Sequence, residues 1–186
     1  MAHLILLRHG ESAWNAEGRL SGWADPDLSE RGVRESETAA ARIREGGIVP
    51  HCGFASVLKR AVRTLAIVTA ALDCPHLPVC CSWRLNERHY GLLEGRTRQD
   101  LYREFGRSAV ERWRNAFDAR PPPLPQTDPR HPLHDPRYAH LDPDRIPSAE
   151  SLEDALYRLL PCWRDGIAPA LRGGRNVIVV SHRTTL

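Results

Sequence analysis

The sequence predicts an α/β fold, a three-layer α/β/α arrangement on a mostly parallel sheet. Two observations predict it. Four short runs, residues 3–7, 54–58, 78–83 and 176–181, are rich in Val, Ile, Leu or Cys and lack clean alternation, as strands buried on both faces do. Between them lie segments with apolar residues at helical spacing, and strands that alternate with helices form parallel sheets. The 186 residues, 41% of them hydrophobic and 26% charged, suffice for one domain with a proper core. We therefore read residues 1–186 as a single domain carrying a Pro-rich loop insertion at 118–150.

Each element has a local reason. The first strand, 3–7, runs into Arg8, His9 and Gly10. A helix over 29–45 opens at Ser29, a candidate N-cap, and ends at Gly46-Gly47. After the strand at 54–58, a helix over 59–72 places Val62, Leu65, Val68 and Leu72 on one face. The strand at 78–83 contains Cys80 and Cys81, expected to be buried. Residues 97–117 and 151–164 read as helices, the latter opening on Ser151 and Asp154 as a capping box. Nine prolines between Pro121 and Pro147 exclude regular structure there, and the Asp, Arg and His among them fit a loop packed back on the body. The last strand, 176–181, is followed by Ser181-His182-Arg183-Thr184-Thr185-Leu186, where a covering helix is expected and none is written.

Bulk properties exclude several classes. A net charge of +3, with basic residues scattered, does not suit nucleic acid. Lys59 is the only lysine, so 25 of the 26 basic residues are Arg. Five cysteines with no C-x-x-C pair argue for a reduced, cytoplasmic protein without a disulfide framework or zinc site. No signal peptide is expected at the start, and no apolar run is long enough to cross a bilayer.

The chemistry concentrates where strands end. In a parallel sheet His9 and His182 open on the same edge, where ligands of such sheets bind. A metal is one use of two such rings, but the fixed charge of Arg8 opposes a cation and no third ligand stands at useful spacing. Phosphoryl transfer suits them better. One His attacks phosphorus in line, and the other, protonated, neutralises the equatorial oxygens. Arg8 and Arg60 can grip those oxygens through paired hydrogen bonds. Gly10 permits a sharp turn and leaves room for a ligand. Glu87 is a candidate general acid and base, because a carboxylate beside bound phosphate holds its proton more tightly through the like charge. Glu11 reads as a loop support, His89 as a packing residue, and the five Trp as anchors.

The runs LLRHGESAWN, LSGWADPDLSERG, SVLKRAVRT and WRLNERHYGLLEG make the chain resemble cofactor-dependent phosphoglycerate mutases of the histidine phosphatase superfamily, over nearly its whole length. The RHG triplet marks the superfamily; RHGESAWN with ERHYG is narrower and marks the mutase branch. The resemblance implies that His9 is the phosphorylated nucleophile, Glu87 the proton donor and acceptor, and His182 the stabiliser of the transferring phosphoryl beside Arg8 and Arg60. It implies substrate contacts by Arg8, Gly10, Ser12, Asn15, Ser21, Gly22, Arg60, Glu87, Arg88, Tyr90, Arg98, Arg114, Asn115, Arg183 and Thr184. It implies 2,3-bisphosphoglycerate as the priming phosphoryl donor, no metal, phosphoglycerates as the small-molecule partners, no nucleic-acid or membrane partner, and a homo-oligomer, since relatives are commonly dimers or tetramers. The expected activity is the glycolytic interconversion of 3- and 2-phosphoglycerate.

Several positions depart from the family pattern. Arg98 replaces a Lys. Asn115 replaces the second of two adjacent Arg, a loss of about 1.5–3 kcal/mol if that guanidinium engaged an anion. Arg183 and Thr184 replace Gly and Asn after His182. Arg183 either blocks the pocket or supplies a substitute anion contact. The family pattern also continues past Leu186 with a helix, two strands and a tail that shields the site from water. The resemblance therefore implies an edge position for the strand at 3–7 and a leaning toward phosphatase chemistry or weak activity. The alternatives are a bisphosphoglycerate mutase or phosphatase of the same superfamily, or a shortened copy that binds phosphate without efficient catalysis.

Overall fold

A computed structural model describes residues 1–186. Four strands, β1 (Leu4–Arg8), β2 (Cys52–Ala55), β3 (Val79–Cys81) and β4 (Val177–Ser181), form one sheet in the order β1-β4-β2-β3. All three pairings are parallel. Helices α2 (Glu30–Glu45) and α3 (Lys59–Ala71) bring Ala40, Ala61, Leu65 and Val68 onto one face, against Ala55, Ile178 and Val180. The other face packs Phe54, Val177 and Val179 against Ile167 and Ala170, with Leu159 beside them. Those residues come from α6 (Leu152–Cys162), α7 (Ala168–Arg172) and the five-residue π-turn that joins them. The three layers are those the sequence predicts.

Burial on both faces holds only for β2 and β4. β1 and β3 are edge strands, so the expectation that Cys80 and Cys81 are buried is corrected: both thiols are exposed. Leu6 on β1 is 52% exposed for the same reason. The helix read over 97–117 is two helices, α4 (Arg98–Phe105) and α5 (Arg107–Asn115), because Gly106 sits at φ 78° between them. The final helix extends beyond 164. Pro161 removes a backbone donor, and the π-turn that follows lays Gly166 so close to Phe54 that a Cβ would stand 2.9 Å from the ring. Ser29 caps α2, and Ser151 and Asp154 form the capping box of α6. A short helix α1 (Ala13–Ala16), capped by Ser12, was not legible. Residues 118–150 contain three single 3₁₀ turns, each begun by Pro, and pack Tyr138 and Ile146 around Trp23.

Candidate active site

Parallel register builds the site. Arg8 on β1 faces Ser181 on β4, so His9 and His182 leave the sheet side by side. Their ring centroids are 4.9 Å apart. His9 sits at the base of a cleft of about 550 Å³ lined by Arg8, Asn15, Ser21, Gly22, Arg60, Glu87, Tyr90, Arg98, Arg114, Asn115, Arg183 and Thr184, and His182 is fully buried behind it, not in its lining. Gly18, Arg19, Leu20 and Leu152 also line it, and the sequence reading missed them. Gly18, Arg19 and Leu20 lie between Asn15 on the helix at 13–16 and Ser21, which was the available signal.

His9 is 5% exposed, and its Nδ1 lies 2.7 Å from the Gly10 carbonyl. A carbonyl only accepts, so Nδ1 carries the hydrogen and Nε2 keeps its lone pair. Burial, then the charge of Arg60, lowers the His9 pKa to about 3. A neutral imidazole with a free Nε2 is a nucleophile at neutral pH.

His182 is fully buried. Its Nε2 is 2.9 Å from Ser56 Oγ, and that hydroxyl lies 3.0 Å from Asn86 Oδ1, to which it donates. The ring therefore donates from Nε2 to Ser56, leaving Nδ1 as a buried lone pair without a partner. Burial, followed by Arg60 and His9, pushes its pKa well below the usual histidine range. Burial first, and these charges after it, disfavour the protonated ring while no anion is bound. A phosphoryl oxygen at Nδ1 requires uptake of a proton, which the anion's own charge favours.

Arg60 is buried and held by loop carbonyls, donating to Ala24 O at 2.9 Å and Gly22 O at 2.8 Å. Its Nε has no protein partner, nor does the buried Ser21 hydroxyl. Both residues line the cleft with His9, and such unspent donors suit an anion rich in acceptor oxygens.

Glu87 is 9% exposed and held from several sides. Its carbonyl accepts from Trp23 Nε1 at 2.7 Å and from Arg158 at 3.2 Å. Its Oε1 accepts from the Arg88 backbone N–H at 3.1 Å and from the Thr184 hydroxyl. Behind the loop, Arg158 pairs with Glu150 at 2.6 Å, and Glu150 also accepts from the His89 N–H. Glu94 accepts from the Trp23 and Tyr90 N–H groups, and burial raises its pKa to about 7. A Cβ on Gly22 would stand 1.9 Å from its carboxylate, so the turn at Gly22 depends on glycine. Glu94, Glu150 and Arg158 support the site and were not singled out from the sequence.

Three expected contact residues lie behind the lining. Gly10 meets backbone, not cleft: its Cβ would stand 2.2 Å from the Gly32 carbonyl. Ser12 is buried and caps α1, exchanging hydrogen bonds with Asn15. Arg88 is buried, donates to the Trp113 and Arg114 carbonyls and stacks over Tyr90. It fixes two residues of the cleft wall. Glu11, as expected, supports its loop by accepting from Ser29 at 2.8 Å.

A neutral histidine at the carboxyl edge of a parallel sheet, walled by arginines with one carboxylate opposite, defines a phosphoryl-transfer site. The chain belongs to the histidine phosphatase superfamily, branch 1, whose family pattern matches residues 4–131. It is 45% identical over 183 residues to the 2,3-bisphosphoglycerate-dependent phosphoglycerate mutase of Nitrosococcus oceani, covering 98% of this chain and 76% of that protein. Among solved structures it resembles a mycobacterial glucosyl-3-phosphoglycerate phosphatase in complex with VO3, at TM-score 0.72 and 26% identity over 100% of this chain and 78% of that one. A phosphoglycerate mutase from Bacillus anthracis shares the fold, at TM-score 0.69 and 24% identity over 97% of this chain and 74% of that one.

Proposed function

We propose that the chain interconverts 3-phosphoglycerate and 2-phosphoglycerate through a phosphohistidine at His9. The observation that carries the proposal is the 2.7 Å approach of His9 Nδ1 to the Gly10 carbonyl, which leaves Nε2 free in an arginine-lined cleft that Glu87 also lines. The name of the Nitrosococcus oceani relative supports phosphoglycerates as the substrate class and 2,3-bisphosphoglycerate as the priming donor.

The residues divide the work as follows. When bound, 2,3-bisphosphoglycerate supplies the first phosphoryl group. The His9 Nε2 lone pair forms the bond to phosphorus as the phosphorus–oxygen ester bond breaks. Arg8 and Arg60 neutralise the equatorial oxygens, and His182 joins them once its Nδ1 takes up a proton. Glu87 gives a proton to the leaving glycerate oxygen. In the return step its carboxylate takes the proton of the other glycerate hydroxyl as that oxygen accepts the phosphoryl from His9. Asn15, Ser21, Arg98, Arg114 and Asn115, which line the cleft, bind the remaining anionic groups. The same reading makes the protein a cytoplasmic small-molecule enzyme.

Brief incubation with labelled 2,3-bisphosphoglycerate tests the proposal. Label is expected to appear on the wild type, survive alkali, be lost in acid, and be absent from His9→Ala. Label that resists acid, or none at all, counts against it. The fate of the phosphoryl group then separates the rival chemistry: transfer to phosphoglycerate marks a mutase, and release as inorganic phosphate marks a phosphatase. The departures at Asn115, Arg183 and Thr184, and the likeness to the mycobacterial phosphatase, favour measuring both.

A further inference from the structure

The turn after β4 is stitched to the loop that carries Glu87 by three hydroxyls. Ser181 Oγ donates to Leu85 O at 2.7 Å, Thr185 Oγ1 donates to Asn86 O at 2.9 Å, and Thr184 Oγ1 donates to Glu87 Oε1. Thr184 is itself fixed by the turn, in which the Thr185 and Leu186 N–H groups both reach the His182 carbonyl at 3.1 Å. The family pattern to which the chain belongs implies a substrate contact at this position. The geometry gives the Thr184 hydroxyl a different partner.

The two carboxylate oxygens of Glu87 are not equivalent. Oε1 receives the Arg88 N–H and the Thr184 hydroxyl. Oε2 receives no protein donor, and it is not among the buried atoms left without a partner, so it is open to the cleft that Glu87 lines. Two donors on one oxygen leave the other as the basic one and hold it in one direction. Side-chain torsions at the end of Glu are broad, so without the hydroxyl the carboxylate rotates more freely.

We propose that Thr184 is a positioning residue: it pins Oε1 of Glu87 so that Oε2 alone carries the proton to and from the substrate oxygen. The inference rests on the role assigned to Glu87 above. The step it serves is balanced: as the phosphorus–oxygen bond breaks, Oε2–H passes its proton to the leaving alkoxide, and Glu87 is left as carboxylate.

The test compares leaving groups. p-Nitrophenolate leaves without help from an acid, whereas the alkoxides of phosphoglycerate and glycerol phosphate need a proton. In Thr184→Val, kcat on the alkyl phosphates is expected to fall about ten- to a hundredfold, the range for a misplaced catalytic group, with little change in KM. The first-turnover burst of p-nitrophenolate, which needs no general acid, is expected to slow less than about threefold. Thr184→Ser, which keeps the hydroxyl, is expected to restore the ratio. Equal losses on both kinds of substrate mean a merely structural role and overturn the proposal, as does no loss on either. If the Val variant does not fold, Thr184→Asn still offers a donor to Oε1 and must keep the ratio; a lost ratio in that folded variant also overturns it. A wild type active on glycerol phosphate but inert on phosphoglycerates would defeat the proposed substrate, while the Thr184 comparison would still be read on glycerol phosphate.

Discussion

At the scale of single residues, burial sets the protonation of the site. It lowers the pKa of His9 to about 3 and of His89 to about 4, and it holds His182 well below the ordinary value of 6.5. The unfolded chain takes up these protons near pH 6.5 and the folded chain does not, so stability is full above that pH and falls on acidification. Glu94 acts in the opposite sense. Its folded pKa of about 7 lies above the ordinary carboxyl value of 4.5, so its contribution is full below 4.5 and is lost as pH rises toward 7. Three rings against one carboxyl leave a net loss in acid. Replacing Glu94→Gln keeps an oxygen for the Trp23 and Tyr90 N–H groups and removes the opposing slope. The variant should therefore lose stability more steeply than wild type between pH 6.5 and 5, by about 1 kcal/mol per pH unit. Urea unfolding across that interval measures it, and parallel slopes would show that Glu94 titrates normally. The sequence makes the identity of these groups legible, because His9 and His182 each follow a strand. Their charge state is not legible, since it depends on depth beneath the cleft and on Arg60, which is 51 positions from His9 and 122 from His182.

At the scale of elements, the sequence reading succeeds where a pattern is local and fails where the neighbours decide. Ser29, Ser151 and Asp154 announce their helices because a cap acts within one turn. The apolar run through Cys80 and Cys81 could not reveal that β3 lies at the edge, since strand order is a property of the assembled sheet. Gly106 was visible inside its helical run, but a lone Gly is tolerated in helices, and only its φ of 78° shows that α4 ends there. Two glycines therefore serve different ends, and alanine distinguishes them. A Cβ at Gly106 meets nothing within 4 Å, so Gly106→Ala should cost only the conformational penalty of its φ 78°, ψ 148° backbone, about 1–3 kcal/mol. A Cβ at Gly10 meets the rigid Gly32 carbonyl at 2.2 Å, so Gly10→Ala must push α2 away from the loop after β1. Denaturant unfolding should show the larger loss at Gly10, and a smaller loss there than at Gly106 would contradict this account of the packing.

At the scale of the whole molecule, a chain of modest net charge concentrates positive charge at one place. Arg8, Arg19, Arg60, Arg98, Arg114 and Arg183 line the cleft, against Glu87 as its single carboxylate. Arg19 and Arg114 have acidic partners in Glu17 and Glu111, but Arg8, Arg98 and Arg183 are in no salt bridge. Convergence of this kind was only partly legible. The motif residues Arg8, Arg60 and Arg98 stood out, whereas the scaffold of Glu150 and Arg158 that holds the Glu87 loop joins distant segments by side chains with no motif. Like charges gathered without partners repel one another, so an anion that binds only the folded state should stabilise it. At a hundredfold excess over Kd, 3-phosphoglycerate should add about 2.7 kcal/mol. For a chain of this size that is a rise in Tm of about 5–10 °C. Exposed charges are screened within about 10 Å at 0.1 M salt, so the rise at fixed ligand should shrink as sodium chloride is added. The two readings of Arg183, a plug or a substitute anion contact, predict opposite effects of removing it. It is exposed, unpaired and on the cleft wall, which suits an anion contact and not a plug. Arg183→Ala should therefore reduce the ligand-induced rise in Tm, and a larger rise in that variant would mean that the guanidinium obstructs the site.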